Sequence, residues 1–169
     1  MPSKSSWANG KLRLTPIVTI LIAWLIAGTL DILAAIIMYS FVRQNGPPIQ
    51  LLHSIASGAF GKKAFNGGAA TAMYGLAFHY LVALSFTITY FLGIRFIPFL
   101  HRQKVIAGLL YGIVVWLVMI LIVLRIVFPT MAPLQPQGII TGMLILMVCI
   151  GLPISLVTNK YYAVKFAGA

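Results

Sequence analysis

The chain has 169 residues, of which 61% are hydrophobic and 8% are charged, and its mean hydropathy is +1.03. Soluble domains carry about 25% charged residues, so this composition excludes an ordinary water-soluble protein. Twelve Lys and Arg residues against one acidic residue give a net charge of +11. These cations stand singly or in pairs at the ends of apolar runs, which argues against a nucleic-acid partner and indicates a lipid bilayer.

Residues 1 to 15 form a polar, basic tail. Four apolar segments follow, each long enough to cross about 30 Å of hydrocarbon at about 1.5 Å per residue. We place these helices at about 16 to 42, 69 to 94, 105 to 128 and 137 to 158. The first is about twice the length of a signal-peptide core, so we expect it to stay attached. The sequence predicts an all-α, polytopic membrane protein with a four-helix domain at 16 to 158 and a C-terminal tail at 159 to 169.

The only acidic residue, Asp31, lies near the middle of the first predicted helix. An ionised carboxylate at the bilayer centre costs at least about 2.5 to 3.5 kcal/mol, so such a residue usually faces the interior of the bundle. Small residues lie one turn before and one turn after it, namely Ala27, Gly28, Ala34 and Ala35. Such small faces are where transmembrane helices approach each other, so we expect Asp31 to point inward.

The first outer loop, about 43 to 68, contains a short helical pattern. Ile49, Leu52 and Ile55 recur at helical spacing after two prolines. We expect residues 47 to 57 to form an amphipathic helix on the outer membrane face, with these three residues toward the apolar side and His53 near the headgroups.

His79 in the second predicted helix lies on a stripe of small residues formed by Gly68, Ala72, Gly75 and Ala83. Counted from the outer helix ends, Asp31 and His79 are both about 15 to 17 Å deep. The sequence therefore predicts that they meet in a hydrogen bond or an ion pair. Three interpretations are open: a structural contact in which a neutral Asp31 donates one hydrogen bond, a proton- or ligand-handling pair, or two residues that never meet.

In the third predicted helix, Arg125 lies close to the outer end, where its side chain can reach the headgroups. Pairing with Asp31 is the alternative, but a depth difference of about 12 Å argues against direct contact. Two pairs of glycines, Gly108 with Gly112 and Gly138 with Gly142, have the spacing of helix-packing motifs.

Basic residues near the helix ends predict the orientation. Eight lie on one side: Lys4, Lys11, Arg13, Arg95, Arg102, Lys104, Lys160 and Lys165. Four lie on the other: Arg43, Lys62, Lys63 and Arg125. Because the side richer in Lys and Arg is usually cytoplasmic, both termini are expected in the cytoplasm.

The sequence lacks the sets of residues that metal, haem, phosphate-binding and nucleophile sites usually require. The three histidines, His53, His79 and His101, occupy three different levels of the predicted bundle, so no metal site is expected. The same separation argues against a bis-histidine haem and leaves one-histidine ligation as the only haem alternative. Because the sequence also contains no phosphate-binding glycine loop and no nucleophile elbow, it predicts no cofactor and disfavours an enzyme.

Three stretches of the chain share a pattern with known proteins: Gly28-Thr-Leu-Asp-Ile32, the run from Leu52-His-Ser-Ile-Ala-Ser-Gly-Ala-Phe-Gly61 through Gly67-Gly68 to Gly75-Leu-Ala-Phe-His79, and Ala107-Gly-Leu-Leu-Tyr-Gly112. Through them, about residues 28 to 155 resemble a family of uncharacterised four-helix bacterial membrane proteins. The resemblance implies a location in the bacterial plasma membrane, with an Asp in the first helix and a His in the second. It implies no activity.

Two classes of function remain open, and the sequence favours the first. One is a non-enzymatic structural or accessory bundle, as a homo-oligomer or in a larger membrane complex. The other is a small proton- or cation-linked transporter or channel that uses Asp31 and His79, with Arg125 as an accessory residue. Access of water separates the two classes, because a transport site must be reachable whereas a structural contact is dry.

Overall fold

The structure, a computed structural model, describes residues 15 to 128 and 136 to 167, with side chains as far as residue 163. Every regular element in this part of the chain is a helix. Four helices are long and apolar enough to cross a membrane: α1 (Pro16–Val42), α3 (Gly68–Gly93), α5 (Lys104–Val127) and α6 (Pro136–Ala163). Between them lie α2 (Pro48–Phe60), a 3₁₀ turn (Gly61–Asn66) and α4 (Pro98–Arg102). The prediction of an all-α bundle with four candidate spans is therefore confirmed.

The two predicted tails are only partly covered by the described residues. Of the N-terminal tail, only Thr15 is described, so Lys4, Lys11 and Arg13 of the orientation argument lie outside this range. At the other end of the chain, the α-helical part of α6 that follows its π-helical stretch runs from Leu152 to Ala167. Most of the segment predicted as a C-terminal tail is therefore helical.

Proline starts four of the helices. Pro16, Pro48 and Pro98 lie in the first turns of α1, α2 and α4, and α6 begins at Pro136. Proline suits this position because the first N–H groups of a helix have no partner within it, and because its fixed φ matches the helix. These residues set the boundaries of the membrane-length segments.

Three of the four long helices contain a π-helical stretch, which has a wider turn than an α-helix. The stretches are Ile37–Val42 in α1, Met119–Val123 in α5 and Met147–Gly151 in α6. Such stretches are rare and frequently occur at functional sites. All three interrupt the regular α-helical spacing of side chains that the sequence periodicity predicts.

The long helices pack in the order α3, α1, α6, α5. Helix α1 packs against both α3 and α6, and α6 packs against both α1 and α5. By contrast, α3 and α5 are not closely packed through their backbones. The bundle is therefore tight on three sides and loose on the fourth.

Glycines bring α5 and α6 together. A β-carbon at Gly108 would lie 2.9 Å from the carbonyl oxygen of Gly151, and one at Gly112 would clash with the backbone of Met147. The packing role predicted for Gly108 and Gly112 is thus confirmed, since only residues without a side chain permit this approach.

Helix α2 is present, but it packs on the bundle. A β-carbon at Gly75 would clash with the carbonyl oxygen of Leu52, so the backbones of α2 and α3 touch. His53 is 6% exposed, and its Nε2 lies 2.8 Å from the carbonyl oxygen of Gly68. His53 is therefore buried against the first turn of α3, where the small residues of that helix leave room for the imidazole. At its other end, α2 reaches Val127 of α5 through Gly58.

Candidate functional site

A cavity of about 870 Å³ lies in the half of the bundle that α2 covers. All four long helices and α2 contribute to its walls, which are mostly apolar and include five aromatic side chains: Phe65, Phe78, Phe86, Trp116 and Phe128. Among the described residues, Asp31 and His79 are the only ionisable side chains that line it. Its size and its few polar groups are typical of a small-molecule site.

The cavity is partly open between α3 and α5, where its lining residues Leu81 and Val127 are 59% and 37% exposed. It is also exposed beside the 3₁₀ turn after α2, where its lining residue Phe65 is 48% exposed. Further toward the opposite end of the bundle, the Tyr111 hydroxyl donates a hydrogen bond of 2.6 Å to the carbonyl oxygen of Phe86 and so joins α3 to α5.

Asp31 reaches the cavity from α1. It is partly buried, and it interacts electrostatically with His79 of α3 and Cys149 of α6. Within the described part of the chain, its carboxyl group forms no hydrogen bond and no ion pair. Since a polar group without a partner is costly in apolar surroundings, this carboxyl group is free to bind water, a proton or a ligand.

His79 lies beside Asp31, but its hydrogen bond goes elsewhere. Its Nε2 is 2.9 Å from the carbonyl oxygen of Gly28. Because a carbonyl oxygen only accepts, Nε2 must donate, and Nδ1 has no hydrogen bond among the described residues. The predicted direct Asp31 to His79 hydrogen bond is therefore not formed.

Hydrogen bonds between α1 and α3 hold Asp31 and His79 at the same depth in the bundle. The Trp24 indole N–H donates a hydrogen bond of 2.7 Å to the carbonyl oxygen of Tyr80, and the Thr29 and Tyr80 hydroxyl oxygens lie 2.8 Å apart. The Tyr80 ring also packs on Gly28, where a β-carbon would lie 2.9 Å from it. Sequence analysis missed this role of Trp24, because an aromatic residue in an apolar run is more often an interface or packing residue.

Sequence analysis also missed a buried polar network at the opposite end of the bundle. The Ser155 hydroxyl on α6 donates a hydrogen bond of 2.6 Å to the carbonyl oxygen of Lys104. The Tyr90 hydroxyl on α3 in turn donates a hydrogen bond of 2.7 Å to the Ser155 oxygen. The Asn159 amide donates a hydrogen bond of 3.0 Å to the carbonyl oxygen of Leu100. The Arg95 Nε donates one of 3.1 Å to the Tyr162 hydroxyl. These bonds join α3, α4, α5 and α6 where the cavity ends.

We expect Ser155→Ala to lower the free energy of unfolding by about 1 to 3 kcal/mol, because it leaves the buried Tyr90 hydroxyl and Lys104 carbonyl without their partner. The measurement is thermal unfolding of the purified protein in detergent. Ser85→Ala is the matched control, since the exposed Ser85 hydroxyl bonds only the carbonyl oxygen of Leu81 one turn earlier in its own helix. Equal stability of the two variants would contradict a structural role for the network.

Arg125 is exposed on α5 and does not line the cavity. It forms no ion pair with Asp31, so the alternative of an Asp31 to Arg125 contact is not realised in the structure. The structure thus brings Asp31 and His79 to one cavity and leaves Arg125 outside it.

Metal-binding residues are dispersed over the part of the chain that the structure describes. His53 packs on the start of α3, His79 lies in the cavity and His101 is in α4. Nowhere in this part do three or more His, Cys, Asp or Glu residues come together.

Comparison of the chain with known protein families, with curated proteins and with solved structures found no match. The functional argument therefore rests on the geometry of the cavity and on the chemistry of Asp31 and His79.

Proposed function

We propose that the four long helices cross the bacterial plasma membrane, with both ends of the chain in the cytoplasm and α2 on the outer side. The helices have the required length and hydropathy. The eight basic residues near one set of helix ends, against four near the other, support this orientation.

Orientation has a direct test. A cysteine introduced at Lys62, which is exposed in the turn after α2, should react with an impermeant thiol reagent in intact cells. A cysteine introduced at Arg102, which is exposed at the end of α4, is the control and should react only after the membrane is broken. Cys149 is replaced by serine in both variants. The opposite pattern would invert the proposed topology.

Within this membrane protein, the cavity is the functional site of a small proton- or cation-linked transporter. The observation that carries this proposal is the Asp31 carboxyl group, which lines a large cavity without a hydrogen bond from the described chain. A purely structural carboxyl group would be expected to donate or accept a hydrogen bond between packed helices. Among the described residues Asp31 has no such bond, which favours a group that binds a proton or a ligand over a structural contact.

Charge favours a cationic ligand in this cavity. None of the described Lys or Arg residues lines it, although the chain carries twelve. An ionised Asp31 needs a positive partner in apolar surroundings, and either a proton or a bound cation supplies one. The aromatic side chains around it suit the apolar part of an organic cation, since cations bind favourably over aromatic faces. Binding of the cation and of the proton to Asp31 is therefore mutually exclusive.

His79 supplies a second proton-binding atom in the same cavity. With Nε2 donating to Gly28, Nδ1 can take up a proton that Asp31 releases or repel a cation once it is protonated. The pair can thus link ligand binding to proton movement.

A structural or accessory role is the second candidate. The side opening between α3 and α5 favours it, because a helix from another copy or from a larger membrane complex could pack there. In that case Asp31 would be covered by the partner and would exchange no protons.

The deciding experiment uses the purified chain in liposomes with an acidic interior and ethidium, a permanently charged aromatic cation, outside. We expect the wild type to accumulate ethidium as protons leave, and Asp31→Asn to reduce this rate at least tenfold because it removes the exchanging charge. His79→Gln should give an intermediate rate. Equal ethidium and proton fluxes in the wild type and Asp31→Asn would reject the transporter and leave the structural role.

A further inference from the structure

A second, smaller cavity of about 230 Å³ lies beside the end of α1 and shares Ala35, Gly142 and Ile145 with the wall of the first cavity. It is bordered by the end of α1, the first turns of α6 and one residue of α2. Its walls are apolar at Ala35, Met38 and Ile145, and its polar groups are Tyr39, Arg43, Asn45 and Thr141. These polar groups include one fixed positive charge and no acidic residue.

The exposed side chain of Arg43 lies over the start of α6. Its guanidinium group would lie 3.3 Å from a β-carbon at Gly138, so the missing side chain leaves room for it. The chain turns sharply just after Arg43, with positive φ at Gln44 (50°) and Gly46 (142°), which fixes the direction of this segment. The position is electrostatically unfavourable by itself, because the N-terminal end of a helix carries partial positive charge.

Arg43 has no anionic partner among the residues that the structure describes. Asp31 is the only acidic side chain in the chain, it lines the other cavity, and no ion pair joins it to Arg43 in the described residues. An anion bound between the guanidinium group and the cavity wall would neutralise the charge that Arg43 and the helix end place together. Phosphate oxygens suit this role, since guanidinium binds them through two parallel hydrogen bonds.

We propose that this cavity binds a phosphate group, and that the group belongs to the headgroup of an anionic phospholipid. Arg43 binds the phosphate, Asn45 and Tyr39 are placed to donate further hydrogen bonds, and the apolar wall at Met38 and Ile145 contacts the upper part of the acyl chains. The position of the cavity at the outer ends of α1 and α6 favours a lipid over free phosphate, because the headgroups of a bilayer lie at that level. This site is independent of the transport role of Asp31.

The test is native mass spectrometry of the purified full chain after exchange into detergent containing phosphatidylglycerol. The wild type should keep one tightly bound phosphatidylglycerol, Arg43→Gln should lose it with at least a tenfold weaker affinity, and Arg43→Lys should keep it in part. Arg125→Gln is the matched control, because Arg125 is an exposed cation of the same predicted side that lines neither cavity. Equal lipid retention in Arg43→Gln and the wild type would overturn the proposal.

A second arm distinguishes the source of the phosphate group. Inorganic phosphate at millimolar concentration should neither displace the lipid nor raise the thermal stability of the delipidated wild type. Stabilisation by inorganic phosphate that Arg43→Gln abolishes would assign the site to free phosphate instead. A neutral lipid of the same chain length that binds as well as phosphatidylglycerol would overturn the proposal, because the headgroup charge would then have no role.

Discussion

Replacement of Asp31 by leucine is expected to raise the free energy of unfolding by about 2 kcal/mol, even though it removes the only acidic residue of the chain. Asp31 makes no hydrogen bond in the described structure and borders a large apolar cavity, so its polar group lowers stability. Leucine removes that cost, and the cavity has room for its larger side chain. Thermal unfolding in detergent measures the change.

Two further variants make this prediction specific. Asp31→Asn should stabilise less than leucine, because an amide still needs hydrogen-bond partners. His79→Leu should instead lower stability by about 1 kcal/mol, since it loses the bond to Gly28. If Asp31→Leu destabilised the protein as much as His79→Leu, the carboxyl group would have a structural partner and the transport proposal would lose its main support.

The four long helices could be predicted because each corresponds to one long apolar stretch of the sequence. Each is an apolar run of membrane length, and proline or glycine begins three of the four. The meeting of Asp31 and His79 in one cavity could also be anticipated, because equal depth on neighbouring antiparallel helices restricts where the two side chains lie.

The hydrogen bond of His79 could not be predicted in the same way. Residue spacing gives the face of a helix on which a side chain lies, but it does not rank acceptors that lie one turn apart on the neighbouring helix. Asp31 and the Gly28 carbonyl are such a pair, and the backbone acceptor forms the bond. Glycine at position 28 contributes to this outcome, because it lets the Tyr80 ring of α3 pack directly on α1.

The polar network of Tyr90, Ser155 and Asn159 also left no pattern in the sequence. Its members come from distant parts of the chain, and each is a single polar residue in an otherwise apolar helix. A serine in such a helix is usually satisfied by a carbonyl oxygen of its own preceding turn, as Ser85 is. Only the packing of α6 against α5 directs the Ser155 hydroxyl to Lys104 instead.

The helix in the first outer loop was predicted from its periodicity, while its docking depends on one residue of another helix. Gly75 lies about 10 Å along α3 from the start of that helix, at about 1.5 Å per residue. Since the backbone of α2 touches α3 at this point, α2 covers the cavity and contributes Ser54, Ile55 and Ser57 to its wall. We expect displacement of α2 to expose the cavity that Asp31 lines.

Gly75→Leu is therefore expected to displace α2 and to lower the free energy of unfolding by about 1 to 3 kcal/mol, because a side chain must fit where two backbones touch. A cysteine at Ile55, which faces the cavity, should then react faster with a water-soluble thiol reagent, in a background where Cys149 is replaced by serine. Ala77→Leu is the control, since Ala77 lies on the same helix and is exposed. If Gly75→Leu changed neither stability nor labelling, α2 would lie on the membrane surface apart from α3, and the cavity would have no cover on its outer side.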